Sequence, residues 1–132
     1  MLSKTLIALS TLLVIVTSSA LADWVEVARS KTDTLYVDPS TLRGTDDRTR
    51  MWVLNDFKAS QRLDNREPFK SEKAEYEYDC KNRQSRLLYF TSHAGHMAKG
   101  EVVDYNISAG VWTRNQPGSE LEALWEIACG KA

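Results

Sequence analysis

The segment His93-Ala94-Gly95-His96 holds the residue types most often found around zinc or copper, since imidazole is a common ligand of both. Two histidines three positions apart need further ligands, however, and Cys80 and Cys129 are expected to be taken up by each other. The reading is therefore two polar residues in an exposed loop. Glu75, Glu77 and Asp79 supply three carboxylates, the raw material of acid–base work. They alternate with Ala74, Tyr76, Tyr78 and Cys80, which places them together on the outer face of a strand, where they are expected to meet water. No histidine or nucleophile stands beside them. The chain also lacks a Gly-x-Ser-x-Gly elbow, a phosphate-binding glycine loop and a His-Glu-x-x-His helix. No catalytic, cofactor or metal site is assigned, and the chain reads as a non-enzyme.

Binding chemistry is the better match. Lys58, Arg62, Arg66 and Lys70 form the clearest basic stretch, on a polar run around Pro68 that reads as a loop from Lys58 to Ser71. On a loop these four could engage acidic partner surfaces or sulfated glycans. Asp64 and Glu67 are interspersed, so a solvated loop is the competing reading. The whole chain has 17 basic and 18 acidic side chains, a formal net charge of −1, which leaves no footprint for nucleic acid or an anionic membrane.

These residues need a scaffold, and most of it reads as strands. Trp24 to Ala28 and Thr34 to Asp38 alternate as strands around a Ser30-Lys31-Thr32-Asp33 turn. Asp38-Pro39-Ser40 has the N-cap and first-turn signals of a helix, so one helical turn is expected there, ended by Gly44. Arg48 to Phe57, Ala74 to Cys80, Ser85 to Ser92, Glu101 to Tyr105 and Val111 to Thr113 read as further strands, joined too closely for crossover helices; the sheet is therefore antiparallel. Ser119 and Glu122 stand in capping-box spacing before Leu121, Leu124, Trp125 and Ala128, and Gly130 supplies a left-handed stop. The fold class is α+β: one antiparallel sheet of about six strands, with a C-terminal helix packed on one face.

The N-terminus carries Lys4, an apolar run from Leu6 to Val16, and Ala20-Leu21-Ala22, the three-part pattern of a secretory signal peptide cut before Asp23. The run is too short to span a bilayer. Residues 1–22 are thus read as signal peptide and 23–132 as a single domain with no membrane span. No cysteine follows the apolar run, so lipid anchoring is not expected, and the destination is the periplasm, the cell surface or the medium. In that compartment the only two cysteines, 49 positions apart, are expected to form a bridge that tethers the helix to the sheet.

A set of short motifs in fixed order adds to this. Trp24-Val25, Tyr36-Val37-Asp38-Pro39 with Leu42, Met51-Trp52-Val53-Leu54, Glu77-Tyr78-Asp79-Cys80, Gly100-Glu101-Val102-Val103, Trp112, Pro117-Gly118-Ser119, Leu124-Trp125 and Cys129-Gly130 follow one another along residues 24–130. The chain resembles the bacterial surface-adhesin protein E family. The resemblance implies a single sheet with the helix bridged to its concave face. It also implies protein partners such as host matrix or plasma proteins, laminin, vitronectin and plasminogen among them, and a dimer. The family's founding member is a lipoprotein, and this chain departs from it in lacking the acceptor cysteine. The expected function is an exported, non-catalytic module that presents a disulfide-stapled sheet to a protein partner; the alternative is a structural or stress-related envelope protein of the periplasm. Met51 to Leu54 and Leu87 to Phe90 are apolar toward both faces, while one helix covers only one. A loop or a second copy in a homodimer is expected over the other.

Overall fold

The computed structural model describes residues 23–130. The segment read as a signal peptide lies outside them. The elements, in chain order, are β1 (Val25–Arg29), β2 (Asp33–Gly44), β3 (Arg48–Gln61), β4 (Phe69–Asp79), β5 (Gln84–His93), β6 (Val102–Asn106), β7 (Thr113–Arg114) and α1 (Glu120–Ala128). All strands belong to one antiparallel sheet in the order β1-β2-β3-β4-β5-β6, with β7 also pairing β5. From β1 to β6 every connection joins paired neighbours, as the short turns required, while β7 returns to the same side of β5 as β6.

Alternation decides the two faces. Leu35 and Val37 of β2, Met51 and Val53 of β3 and Tyr78 of β4 point to the side that α1 covers with Leu124, Trp125 and Ala128, and these residues make the core. Burying large apolar side chains here stabilises the fold by about 1.5–3 kcal/mol each. Ala74 and Tyr78 face this side, as their spacing required. Ser119 caps the helix by accepting from the Glu122 N–H at 3.1 Å. The Glu122 carboxylate forms an ion pair with Arg83 of the β4–β5 turn, and so ties the helix start to the sheet. Gly130 takes φ +67° at the stop, and the Cys80–Cys129 bridge anchors that end. Trp125 Nε1 donates to the Asp79 carbonyl at 2.8 Å, next to the bridge.

Two expectations are corrected. Asp38-Pro39-Ser40 forms no helical turn; it continues β2, which runs on to Gly44. The Asp38 carboxylate does accept from Ser40 N–H at 3.1 Å, so the capping signal is real. The chain stays extended because β2 bulges between Asp38 and Arg43, where the Thr41 hydroxyl accepts the Trp52 N–H at 3.0 Å in place of a ladder carbonyl. Pro39 costs no ladder bond, because β1 pairs only as far as Val37 and leaves that edge open. The polar run from Lys58 to Ser71 is largely strand as well: β3 continues to Gln61, β4 starts at Phe69, and only 62–68 lie between. Phe57 and Phe69 meet edge to face at 5.9 Å and hold this end of the hairpin together.

Candidate binding surfaces

The four cations proposed from sequence sit at the β3–β4 hairpin end, all exposed. They do not form one patch of free charge. Arg66 pairs with Asp104 of β6 at 2.5 Å, and Arg62 Nε donates to the Arg66 carbonyl at 3.2 Å, so both arginines help fasten the loop. Lys58 and Lys70 enter no ion pair among the described residues.

The carboxylates on β4 are on the face opposite the helix, as alternation required, yet they do not meet water. Glu75, Glu77 and Asp79 are only 5–6 % exposed. Cross-strand arginines lie over them. Arg43 Nη2 is 2.9 Å from Glu75, while Arg50 Nε at 3.2 Å and Arg86 Nη2 at 2.7 Å share the two oxygens of Glu77. Asp79 turns to the hairpin instead: the Asn82 amide donates to it at 2.9 Å, with the Lys81 and Asn82 backbone N–H groups at 3.1 Å. Those bonds, the Asn82 amide foremost, hold its carboxyl below the usual range. Charge pairing of this kind is invisible in one strand's alternation. It depends on register, which sets Arg50 opposite Glu77 and Glu77 opposite Arg86.

Aromatic rings complete this face. The Arg48 and Arg86 guanidiniums lie 5.1 and 4.6 Å from the Trp112 ring centre, and Lys73 lies 5.3 Å from that of Trp52. Trp52 meets Tyr89 edge to face at 5.6 Å. Leu54 is fully buried on the same side. Beside it, the loop after β5 folds back onto the sheet: Ser71 Oγ donates to the Gly95 carbonyl at 2.6 Å and accepts from Ala98 N–H at 2.9 Å, and Asp56 accepts from Met97 N–H at 2.8 Å. Much of the second face's cover is thus intramolecular, supplied by this loop and by arginine stems.

The histidines separate. His93 is not in a loop but ends β5, 6 % exposed, with Nε2 2.8 Å from Thr91 Oγ1. Burial, then Lys73, pushes its pKa down against an interaction with the Gly100 backbone. His96 is in the exposed loop, with Nδ1 3.2 Å from Asp56. Among the described residues no three histidine, cysteine or carboxylate side chains gather as a metal site.

The outer side of β5 carries a different surface. β6, then Gly110, whose N–H donates to the Leu87 carbonyl at 2.6 Å, then β7 line it in turn, so residues 102–114 form one sheet margin. Among the described residues, four of the seven exposed large apolar side chains lie on it: Val102, Tyr105, Ile107 and Val111. In the sequence Glu101 to Tyr105 and Val111 to Thr113 read as strands with nothing to mark them as exposed, because apolar residues at an edge look the same as apolar residues in a core.

This arrangement of sheet, helix and bridge can be set beside known proteins. The family model for Surface-adhesin protein E matches residues 24–130. The chain belongs to that family. No curated protein matches it by sequence. Among solved structures it is similar to Haemophilus influenzae protein E in crystal form II, with a TM-score of 0.62 at 10 % identity over 80 % of this chain and 96 % of that one. A selenomethionine form of the same protein gives 0.63 at 10 % identity over 80 % and 85 %, and a third structure of it gives 0.60 at 8 % over 83 % and 86 %. At such identity the likeness establishes the fold. Family membership makes the chain a surface-adhesin-like binding protein of the exported or cell-surface kind. No helix among the described residues is long and apolar enough to cross a membrane.

Proposed function

We propose that this chain is an exported, non-catalytic binding module that presents its stapled sheet to a protein partner, a matrix or plasma protein of a host being the kind the family name suggests. The observation that carries the proposal is the apolar margin of residues 102–111. An edge strand that keeps Tyr105 64 % exposed and is followed directly by Ile107 at 70 %, beside unpaired backbone groups, is suited to pairing with another chain. A second copy of the chain could use the same margin, which would give a homodimer. Lys58 and Lys70 at the β3–β4 hairpin would then supply steering charge near the contact rather than its centre.

The test is retention of partners. The exported chain, immobilised and incubated with matrix and envelope extracts, is expected to hold a specific protein from the matrix; retention of none from either would contradict the proposal. Sedimentation of the purified chain settles the homodimer. Protease added to intact cells separates this reading from a periplasmic envelope role, since a surface protein is digested and a periplasmic one is spared until the outer membrane is opened. N-terminal sequencing and limited proteolysis of the exported chain test the signal peptide assigned to residues 1–22 and the single domain assigned to 23–132.

A further inference from the structure

The arginines over β4 are laid out in rows by the sheet register. Arg43 stands opposite Arg50, Arg50 opposite Glu77, and Glu77 opposite Arg86, so one row crosses four strands, roughly 14 Å at ordinary strand spacing. The next row on the same face is Arg48, Asp79, Gln84 and Arg114. Like charges directly opposite, as at Arg43 and Arg50, cost stability in a sheet. The vertical arrangement offsets that cost: Glu75 and Glu77 are buried beneath, while Arg43 and Arg50 keep 64 % and 45 % of their side chains exposed above them. Arg48 and Arg114 enter no ion pair among the described residues, although Arg48 stands opposite Asp79. Asp46 and Asp47, in the adjoining turn, line a different hollow with Cys80, Lys81 and Cys129. The hollow on the arginine side, of about 370 Å³, is lined by Arg43, Arg48, Arg50 and Glu77 with Gly44 and Thr45.

We infer that this face binds a linear sulfated polysaccharide. The outer layer is cationic and its guanidinium forks are held in place from below, which suits repeated, planar-faced anions. β3 and β4 are interior strands whose backbone groups are already paired, so an acidic peptide laid across them would find no ladder partners for its own amides. A polysaccharide asks only for charge presented at intervals, which the arginine rows supply. Arg114 closes the same sheet margin, but this surface uses none of the exposed apolar side chains at residues 102–111, and the inference does not depend on a protein partner there.

Binding of the exported chain to heparin, to desulfated heparin and to polyglutamate tests it. Arg48 and Arg114 are the residues to change, because neither enters an ion pair among the described residues and Asp79, opposite Arg48, keeps its bonds from Lys81 and Asn82. Arg48→Ser with Arg114→Ser is expected to weaken heparin binding about tenfold, as loss of two exposed charge contacts does, in a variant that still folds cooperatively and melts only slightly lower for want of the Arg48–Trp112 contact. Desulfated heparin is expected not to bind, and Tyr105→Ser with Ile107→Ser is expected to bind heparin as the native chain does. No heparin binding at physiological salt, equal affinity in the folded arginine variant, or polyglutamate held as tightly as heparin would each overturn the inference. Loss of a protein partner with heparin binding intact would instead fall on the apolar margin alone.

Discussion

At the scale of single residues, Glu77 shows what register adds to pattern. Its alternation with Tyr76 and Tyr78 places it correctly on the face away from the helix, but a strand read alone cannot show that Arg50 and Arg86 reach over it from either side. Had it faced water, Glu77→Ala would change stability by about 0.5 kcal/mol or less. Buried beneath two guanidiniums, it is expected to cost about 1–2 kcal/mol, discounted because both arginines remain partly in solvent. Chemical denaturation of the variant checks this. Cys80 and Cys129 were legible for the opposite reason, since two cysteines in an exported chain leave only one pairing. His93 reads as loop because alanine and glycine follow it, and only the pairings that set it between Ser71 of β4 and Val102 of β6 reveal its strand.

At the scale of elements, the hairpins and the helix could be read because their signals are local: alternation, turn residues and a cap within four positions. β2 could not be read beyond Asp38, because its continuation rests on a hydroxyl supplied by Thr41 to a different strand. The end of β5 also carries a pH dependence. Burial holds folded His93 below its ordinary value, whereas the unfolded chain takes its proton near about 6.5. The stability that neutral His93 preserves is therefore complete above about pH 6.5 and is lost as pH falls below it, levelling off once the folded form is protonated too. Glu72, pushed up by burial, works the other way as pH rises past the carboxylate range, so the comparison must be between chains that share it. His93→Gln is expected to flatten the fall in denaturation midpoint between pH 7 and the acid range relative to the native chain, and an unchanged slope would contradict the assignment.

At the scale of the molecule, a nine-residue helix covers one face of a seven-stranded sheet, and it is held at its start by Arg83 and Glu122 and at its end by the bridge. So short a helix has little stability of its own. Closing a separation of 49 residues is worth about 4 kcal/mol in the chain-entropy picture, a large share of what a domain this size commands. Cys80→Ser is expected to lower the urea midpoint by a corresponding amount; an unchanged midpoint would mean the bridge carries no stability. The fold could be inferred from motif order along the chain, whereas the two candidate surfaces could not, because both are made by neighbours far apart in sequence. The central claim is that the margin at residues 102–111 is where a protein partner binds. Its most direct test is partner retention from matrix extract by the native chain against Tyr105→Ser with Ile107→Ser. The account predicts retention reduced at least about tenfold, as loss of two apolar anchors at an interface implies, in a variant that melts as the native chain does. Equal retention by the two would contradict it.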